Sequence, residues 1–292
     1  MKSRYGTASF SSKNLVSIAS NATSADGPTL LRIVPHWLRV FGSRLREITI
    51  IVDSEPLEGR IADLHRGQSQ PDELREAIRL LERVSPLVNF ISLKSLEPSP
   101  IQRRWFGNAR PVRCQAGTPI LAFAAAVDQA KQDIVLRCDS DMLFYENGWL
   151  DEAILSLQDG ALDVYEPPRL HLGATTSVSS RAFVVSKRSF YRRLPLRNLR
   201  LDALRALHRI STRRPPWVAL EQMMTCSVAK GQLSHKVGCR ADLGFSLHGL
   251  KRSHIASPWF EDVIRSIERG RVPDSQLSSW DFHPDHWGIQ AL

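Results

Sequence analysis

Ile134-Val135-Leu136-Arg137-Cys138-Asp139-Ser140-Asp141-Met142-Leu143-Phe144 is the stretch on which the reading of this chain turns. Its apolar start, Ile134 to Leu136, has the character of a buried strand. Two carboxylates one residue apart follow. On an extended backbone, where side chains alternate with period 2, Asp139 and Asp141 would fall on one side. Oxygen ligands at a strand end suit a hard divalent cation, Mg²⁺ or Mn²⁺, which leaves coordination positions open for substrate phosphates. The stretch therefore points to a metal and a phosphate. Asp-Ser-Asp is also ordinary turn chemistry after a strand, so its surroundings decide between the two readings.

Upstream, the chain alternates strand and helix. Leu15 to Asn21 reads as a first strand. Pro28 opens a helical pattern through Leu31, Val34, Leu38 and Phe41, with a bend expected at Pro35. Ile48 to Val52 is a second strand ending at Asp53. Gln70-Pro71-Asp72-Glu73 opens a helix with Leu74, Ile78, Leu81 and Val84 on one face, and Val88 to Leu93 is a third strand. Thr118-Pro119 caps an alanine-rich helix that feeds strand 134–138. This rhythm implies right-handed crossovers and a mostly parallel α/β sheet flanked by helices, with ligands at the carboxyl ends of the strands. Asp53, Asp139 and Asp141 stand at such ends.

Downstream, 147–157 reads as a helix, 162–165 and 181–185 as strands, and Val218 to Lys230 as a helix stopped by Gly231. A strand over 233–237 and a helix opened by Ser257-Pro258 and closed by Gly270 follow. Residues 1–13 are expected to form a flexible polar arm, 14–270 one domain, and 271–292 a tail packed on or near the site. In that tail Trp280 and Trp287 would anchor the terminus or stack on a sugar. His283 and His286 share a helical spacing, but Pro284 between them argues against a regular helix and a metal pair.

Composition narrows the partners. The 292 residues are 42% hydrophobic and 24% charged, with a net charge of +9, which favours anionic partners. No apolar run approaches the roughly 20 residues of a membrane span, and the first residues lack an apolar signal core. Cys114, Cys138, Cys226 and Cys239 are scattered, which argues against a disulfide framework and fits a cytoplasmic setting. The arginines between 187 and 214 would form a solvated face or a peripheral contact with anionic membrane.

Taken together, the alanine-rich helix, the strand and the Asp139-Ser140-Asp141 triplet resemble the nucleotide-sugar site of GT-A-fold glycosyltransferases of the family-2 type. The resemblance implies a nucleoside diphosphate sugar donor, a divalent metal (Mn²⁺ or Mg²⁺), and a carbohydrate or lipid-linked acceptor. It implies that Asp53 holds the base or ribose, that Asp139 and Ser140 contact the donor, and that Asp141, Asp139 and His248 serve the metal. Glu221 opens the helix after Trp217-Val218-Ala219-Leu220 and takes the place of the family's catalytic base. Gln222 stands where the family usually has a second acid.

Three other readings compete. A sugar nucleotidyltransferase shares the fold but needs a Gly-rich phosphate loop near its first strand, where Asn21 to Gly27 has one glycine. A HAD-type phosphatase also uses a strand followed by D-x-D, but near the domain's start and continuing with Thr or Val, whereas Met142 follows here. A non-catalytic basic nucleotide- or nucleic-acid-binding protein would suit the charge. No helix-turn-helix, zinc finger or RNA-binding aromatic signature accompanies it, and nucleic acid is not the expected partner.

Overall fold

The computed structural model describes residues 15–57, 59–65, 70–100, 102–103, 117, 119–169, 178–179, 181–189, 207 and 220–289. The 1–13 arm and most of the arginine-rich 187–214 region lie outside these residues.

Seven strands form one sheet, in the order β3-β2-β1-β4-β7-β6-β8. They are β1 (Val16–Thr23), β2 (Leu45–Asp53), β3 (Val88–Ser92), β4 (Ile134–Cys138), β6 (Val164–Glu166), β7 (Ala182–Ser186) and β8 (His235–Val237). The first four run parallel, and β6 pairs with β8 in parallel. β7 is antiparallel to both of its neighbours, so the sheet is mostly but not wholly parallel. Two further strands, β5 (Leu143–Tyr145) and β9 (Phe245–Leu247), pair antiparallel in a ribbon of their own.

Side-chain alternation along the strands builds one core on each face of the sheet. Ile48, Ile50, Leu136 and Val184 face a core shared with α1 (Gly27–Phe41), which contributes Leu30, Ile33, Val34, Trp37 and Phe41. That spacing is the apolar stripe of an amphipathic helix. The helix runs on through Pro35 rather than ending there. Ala19, Ile51, Val135, Phe183 and Val185 face the second core, capped by α4 (Ile120–Gln129). Residues 120 to 127 are all buried, which accounts for a helix apolar nearly all round. β7, covered on both faces, is apolar from Ala182 through Val185, whereas β1 buries Ser17 and Ser20 among its apolar residues.

α1 also packs against α3 (Pro71–Val84), whose inward face is Leu74, Ala77 and Leu81. They approach so closely at Gly27 that a Cβ there would stand 2.8 Å from the backbone of Glu73 and Leu74. Only glycine permits that contact. The other described helices are α2 (Gly59–Leu64), α5 (Trp149–Gln158), α6 (Leu220–Ala229), α7 (Arg252–Ala256) and α8 (Phe260–Glu268). Among the described residues, no helix is long and apolar enough to cross a membrane.

Candidate nucleotide-sugar site

The strand order reverses between β1 and β4. β1 leads to β2 on one side, and β4 is placed on the other. Such a switch point opens a crevice at the carboxyl ends of parallel strands, where ligands bind in α/β sheets. Here that edge is acidic. Thr23 and Asp53, the last residues of β1 and β2, are in register. Asp53 is buried, and its Oδ1 accepts the Glu55 N–H at 3.0 Å, an Asx turn that closes β2. Asp26 Oδ2 accepts the Thr23 N–H at 2.7 Å and its hydroxyl at 2.8 Å, while Oδ1 accepts the Ser140 hydroxyl at 3.2 Å. Asp26 thus ties the segment after β1 to the one after β4 across the crevice.

The two carboxylates of the D-x-D triplet have different nearest partners. The chain leaves β4 at Cys138 and turns at Ser140 and Asp141, so the period-2 expectation for an extended backbone does not hold. Asp139 faces two guanidinium groups. Arg137 bonds its Oδ1, and Arg181 Nη1 donates to Oδ2 at 3.3 Å. Both arginines are placed by the sheet. Arg137 lies in β4, 1% exposed, with Nη2 donating to Asn21 at 2.6 Å and its guanidinium 4.0 Å from the Phe123 ring. Arg181 sits across from Asp139 because the Asp139 N–H continues the β4–β7 ladder, donating to the Arg181 carbonyl at 2.8 Å. Burial works against the Asp139 charge, but Arg137 and Arg181 prevail and hold its carboxyl below the usual range. Asp139, expected to serve the metal, thus has both oxygens engaged by arginine.

Asp141 has a different neighbour. Its Oδ2 lies 3.8 Å from His248 Nε2. Burial pushes its carboxyl up, and the nearby Asp139 and Asp26 charges add to that push, against the opposing pull of His248 and Arg181. The β5–β9 ribbon is what brings His248 to it. Leu143 pairs with Leu247, so the residues just outside that pair, Asp141 to Met142 and His248, are drawn together. α1 clamps the same segment, because Trp37 Nε1 donates to the Met142 carbonyl at 2.9 Å and His36 Nε2 accepts the Phe144 N–H at 3.1 Å.

A carboxylate oxygen and an imidazole nitrogen at that separation form a donor pair suited to Mn²⁺ or a similar divalent ion. Among the described residues, no three His, Cys, Asp or Glu side chains close round one point. Asp141 Oδ2 and His248 Nε2 are one oxygen and one nitrogen donor, 3.8 Å apart.

Glu221 lies exposed in the first turn of α6. It faces the same arginine. Burial opposes the Arg181 charge, but Asp139, Asp141 and Glu221 together more than offset it. Arg181 thereby links the candidate base to both members of the D-x-D triplet. The tail comes back along β9. The His248 N–H donates to the Trp280 carbonyl at 3.2 Å, and the Phe282 N–H to the His248 carbonyl at 2.6 Å. Trp280 lies between the His248 ring and the Arg169 guanidinium, 5.5 and 5.0 Å away. Trp287 packs on Phe282 at 6.1 Å. His283 and His286 have their rings 4.9 Å apart across a short 3₁₀ turn, Pro284–Trp287.

Sequence reasoning missed Asn21, Asp26, Arg137 and Arg181. Arg137 carried a signal, since a charge inside an otherwise buried strand needs a partner. Arg181 carried none until the antiparallel pairing of β7 was known.

No protein-family model matches the chain, and no curated protein is similar to it in sequence. Solved structures are similar in part. A mannosyltransferase from Pyrobaculum calidifontis, in complex with GDP-Man and Mn²⁺, is 14% identical with a TM-score of 0.45, over 77% of this chain and 55% of that one. The glycosyltransferase GlyE of Streptococcus pneumoniae is 14% identical, TM-score 0.42, over 76% and 45%. Mouse xyloside xylosyltransferase 1 is 10% identical, TM-score 0.44, over 87% and 93%. The chain thus spans about half the length of the first two. At these identities, what it binds has to be read from its own side chains.

Proposed function

We propose that this protein is a glycosyltransferase that moves a sugar from a nucleoside diphosphate sugar to an acceptor hydroxyl, assisted by Mn²⁺ or Mg²⁺. The observation that carries the reading is the Asp141–His248 pair, 3.8 Å apart beside the crevice between β1 and β4. Asp141 and His248 would hold the cation. When bound, the cation supplies charge neutralisation to the diphosphate as it leaves. Asp53 would hold the base or ribose at the end of β2. Ser140 and Asp139 would contact the donor, with Asp139 kept ionised and oriented by Arg137 and Arg181.

Glu221 is the proposed base. This exposed carboxylate, whose charge reaches Arg181, would take the proton from the acceptor hydroxyl as its oxygen attacks the anomeric carbon, with inversion. Help of this type accelerates such steps by roughly 10²- to 10⁴-fold. The acceptor would be a carbohydrate or lipid-linked sugar in polysaccharide, lipopolysaccharide or glycolipid synthesis. A cytoplasmic protein with a basic 187–214 region would meet such an acceptor at the inner membrane face.

The test is a thermal-shift screen of UDP, GDP, CDP and dTDP sugars with and without Mn²⁺, followed by transfer assays on the donor that stabilises the protein. A ligand selective for the folded state raises its melting temperature by mass action. Metal-dependent stabilisation by one nucleotide class is the expected result. Stabilisation without transfer to any acceptor would make the protein a nucleotide-sugar binder. No stabilisation by any of them would overturn the reading.

A further inference from the structure

We infer that Asp281, in the C-terminal tail, is a positioning residue that sets the tautomer of His248 and thereby its strength as a metal ligand. This deepens the proposed transferase site and rests on it. His248 Nδ1 lies 3.3 Å from Asp281 Oδ1 while Nε2 faces Asp141. An ionised carboxylate only accepts hydrogen bonds. The neutral imidazole therefore carries its hydrogen on Nδ1, and the Nε2 lone pair points at the place between His248 and Asp141. A second carboxylate behind a ligating histidine fixes the ring's orientation and raises its basicity.

Three independent features show that this contact is built into the fold. Backbone hydrogen bonds on either side hold Asp281 beside His248, in a parallel bridge between the two residues. Gln276, fully buried, organises the segment. Its Nε2 donates to the carbonyls of Ser279 and Asp281 at 3.0 and 2.9 Å, and its Oε1 accepts from the His283 N–H and the Trp287 indole at 3.2 and 3.0 Å. A buried amide with both ends satisfied rigidifies what it holds. Finally, Gly249, next to His248, has φ +87°, a conformation that glycine takes without strain and that lets the chain turn beside Asp281. The Trp280 ring packs against the imidazole, which limits its rotation.

The experiment uses the full chain with Asp281→Ala and Asp281→Glu. Asp281 is 61% exposed, so neither change disturbs the core. Long-range ¹H–¹⁵N spectra, with the His248 signals assigned through His248→Gln, read the tautomer without any metal. The unaltered protein should show the Nδ1–H form, Asp281→Ala, which has no acceptor, should lose that preference, and Asp281→Glu should keep it. Mn²⁺ affinity, read by the paramagnetic resonance of free Mn²⁺ in the presence of GDP or UDP, should fall about 10- to 100-fold in Asp281→Ala and recover in Asp281→Glu. An unchanged tautomer, or an unchanged Mn²⁺ affinity in Asp281→Ala when the unaltered protein binds the ion, would overturn the inference alone. No Mn²⁺ uptake by the unaltered protein would sink the transferase reading and the metal half of this inference with it. The spectra still decide the Asp281–His248 link on their own.

Discussion

Asp139 and Asp141 are two residues apart, yet replacing each with asparagine should have opposite consequences. Asp139 takes a charge-assisted hydrogen bond from buried Arg137 and another from Arg181, which is 45% exposed. Hydrogen bonds to charged groups contribute about 1.5–3 kcal/mol when buried, and an exposed ion pair about 0.2–1 kcal/mol. Asp139→Asn should therefore cost about 3 kcal/mol, and the melting temperature should fall by about 6 °C at the ~2 °C per kcal/mol expected for a chain of this size. Mn²⁺ binding should change less than threefold. Asp141→Asn should do the reverse. Burial already penalises that carboxylate, so a neutral amide should leave stability within about 1 kcal/mol while Mn²⁺ binding with a nucleoside diphosphate disappears. The acid limb adds a signature. The Asp139 pKa is lowered in the folded state, so its stabilisation is complete above the ordinary carboxylate value near 3.8 and is lost as pH falls through the folded value. Asp139→Asn should flatten that limb. Calorimetric melts and Mn²⁺ titrations of both variants measure all of this. A stable Asp139→Asn, or an Asp141→Asn that melts early and still binds the ion, would refute the division of labour.

His36 is fully buried, and desolvation lowers its pKa from the usual 6.5 against the pull of Glu268. The unfolded chain then takes up a proton that the native protein does not, so stability is complete above pH 6.5 and declines below it, by at most about 1.4 kcal/mol per pH unit. Melting scans from pH 7.5 to 5.5 check this, and a flat profile would contradict it. Glu221→Gln should keep donor affinity and lower kcat and kcat/KM together by roughly 10²-fold or more. Equal transfer rates in variant and parent would remove Glu221 as the base. The arginines of 187–214 should carry the protein to anionic vesicles with a dependence on salt, at about 1 kcal/mol per basic residue near the surface. Equal co-sedimentation with neutral vesicles would count against that role.

The parts legible in the sequence are those that a local period encodes. Strand 134–138 and the start of helix 71–84 are legible because an apolar run and an amphipathic stripe are short-range signals, although Val84, read with the apolar face, is exposed at the helix end and Ala77 is buried instead. The parallel run of β1 to β4 was legible in the strand–helix rhythm, but the direction of β7 was not. Residues 181–185 read as another strand, but whether it joins β4 parallel or antiparallel depends on the route of the intervening chain, and that choice puts Arg181 beside Asp139. β5 and β9 are three residues each, too short for alternation to stand out, and their partners are distant in sequence. The reading of the Asp139 and Asp141 spacing rests on an extended backbone, a condition the chain does not meet here. A period of 2 holds only while the backbone stays extended, and the turn at Ser140 and Asp141 ends it.

The β5–β9 ribbon has a bearing on the order in which the molecule takes shape. Its two strands are separated by about a hundred residues, and closing so long a loop is entropically unfavourable before the surrounding layers exist. The β1–β4 framework and α1 can assemble from earlier chain, with Trp37 and His36 already holding segment 142–144 as a half-made edge. His248, and Asp281 behind it, arrive only when the later chain docks on that edge. During synthesis, domains fold broadly from the N-terminal side, so the nascent protein would have a nearly finished scaffold while Asp141 and His248 were still apart. A partly made chain would then be folded before its proposed site was whole.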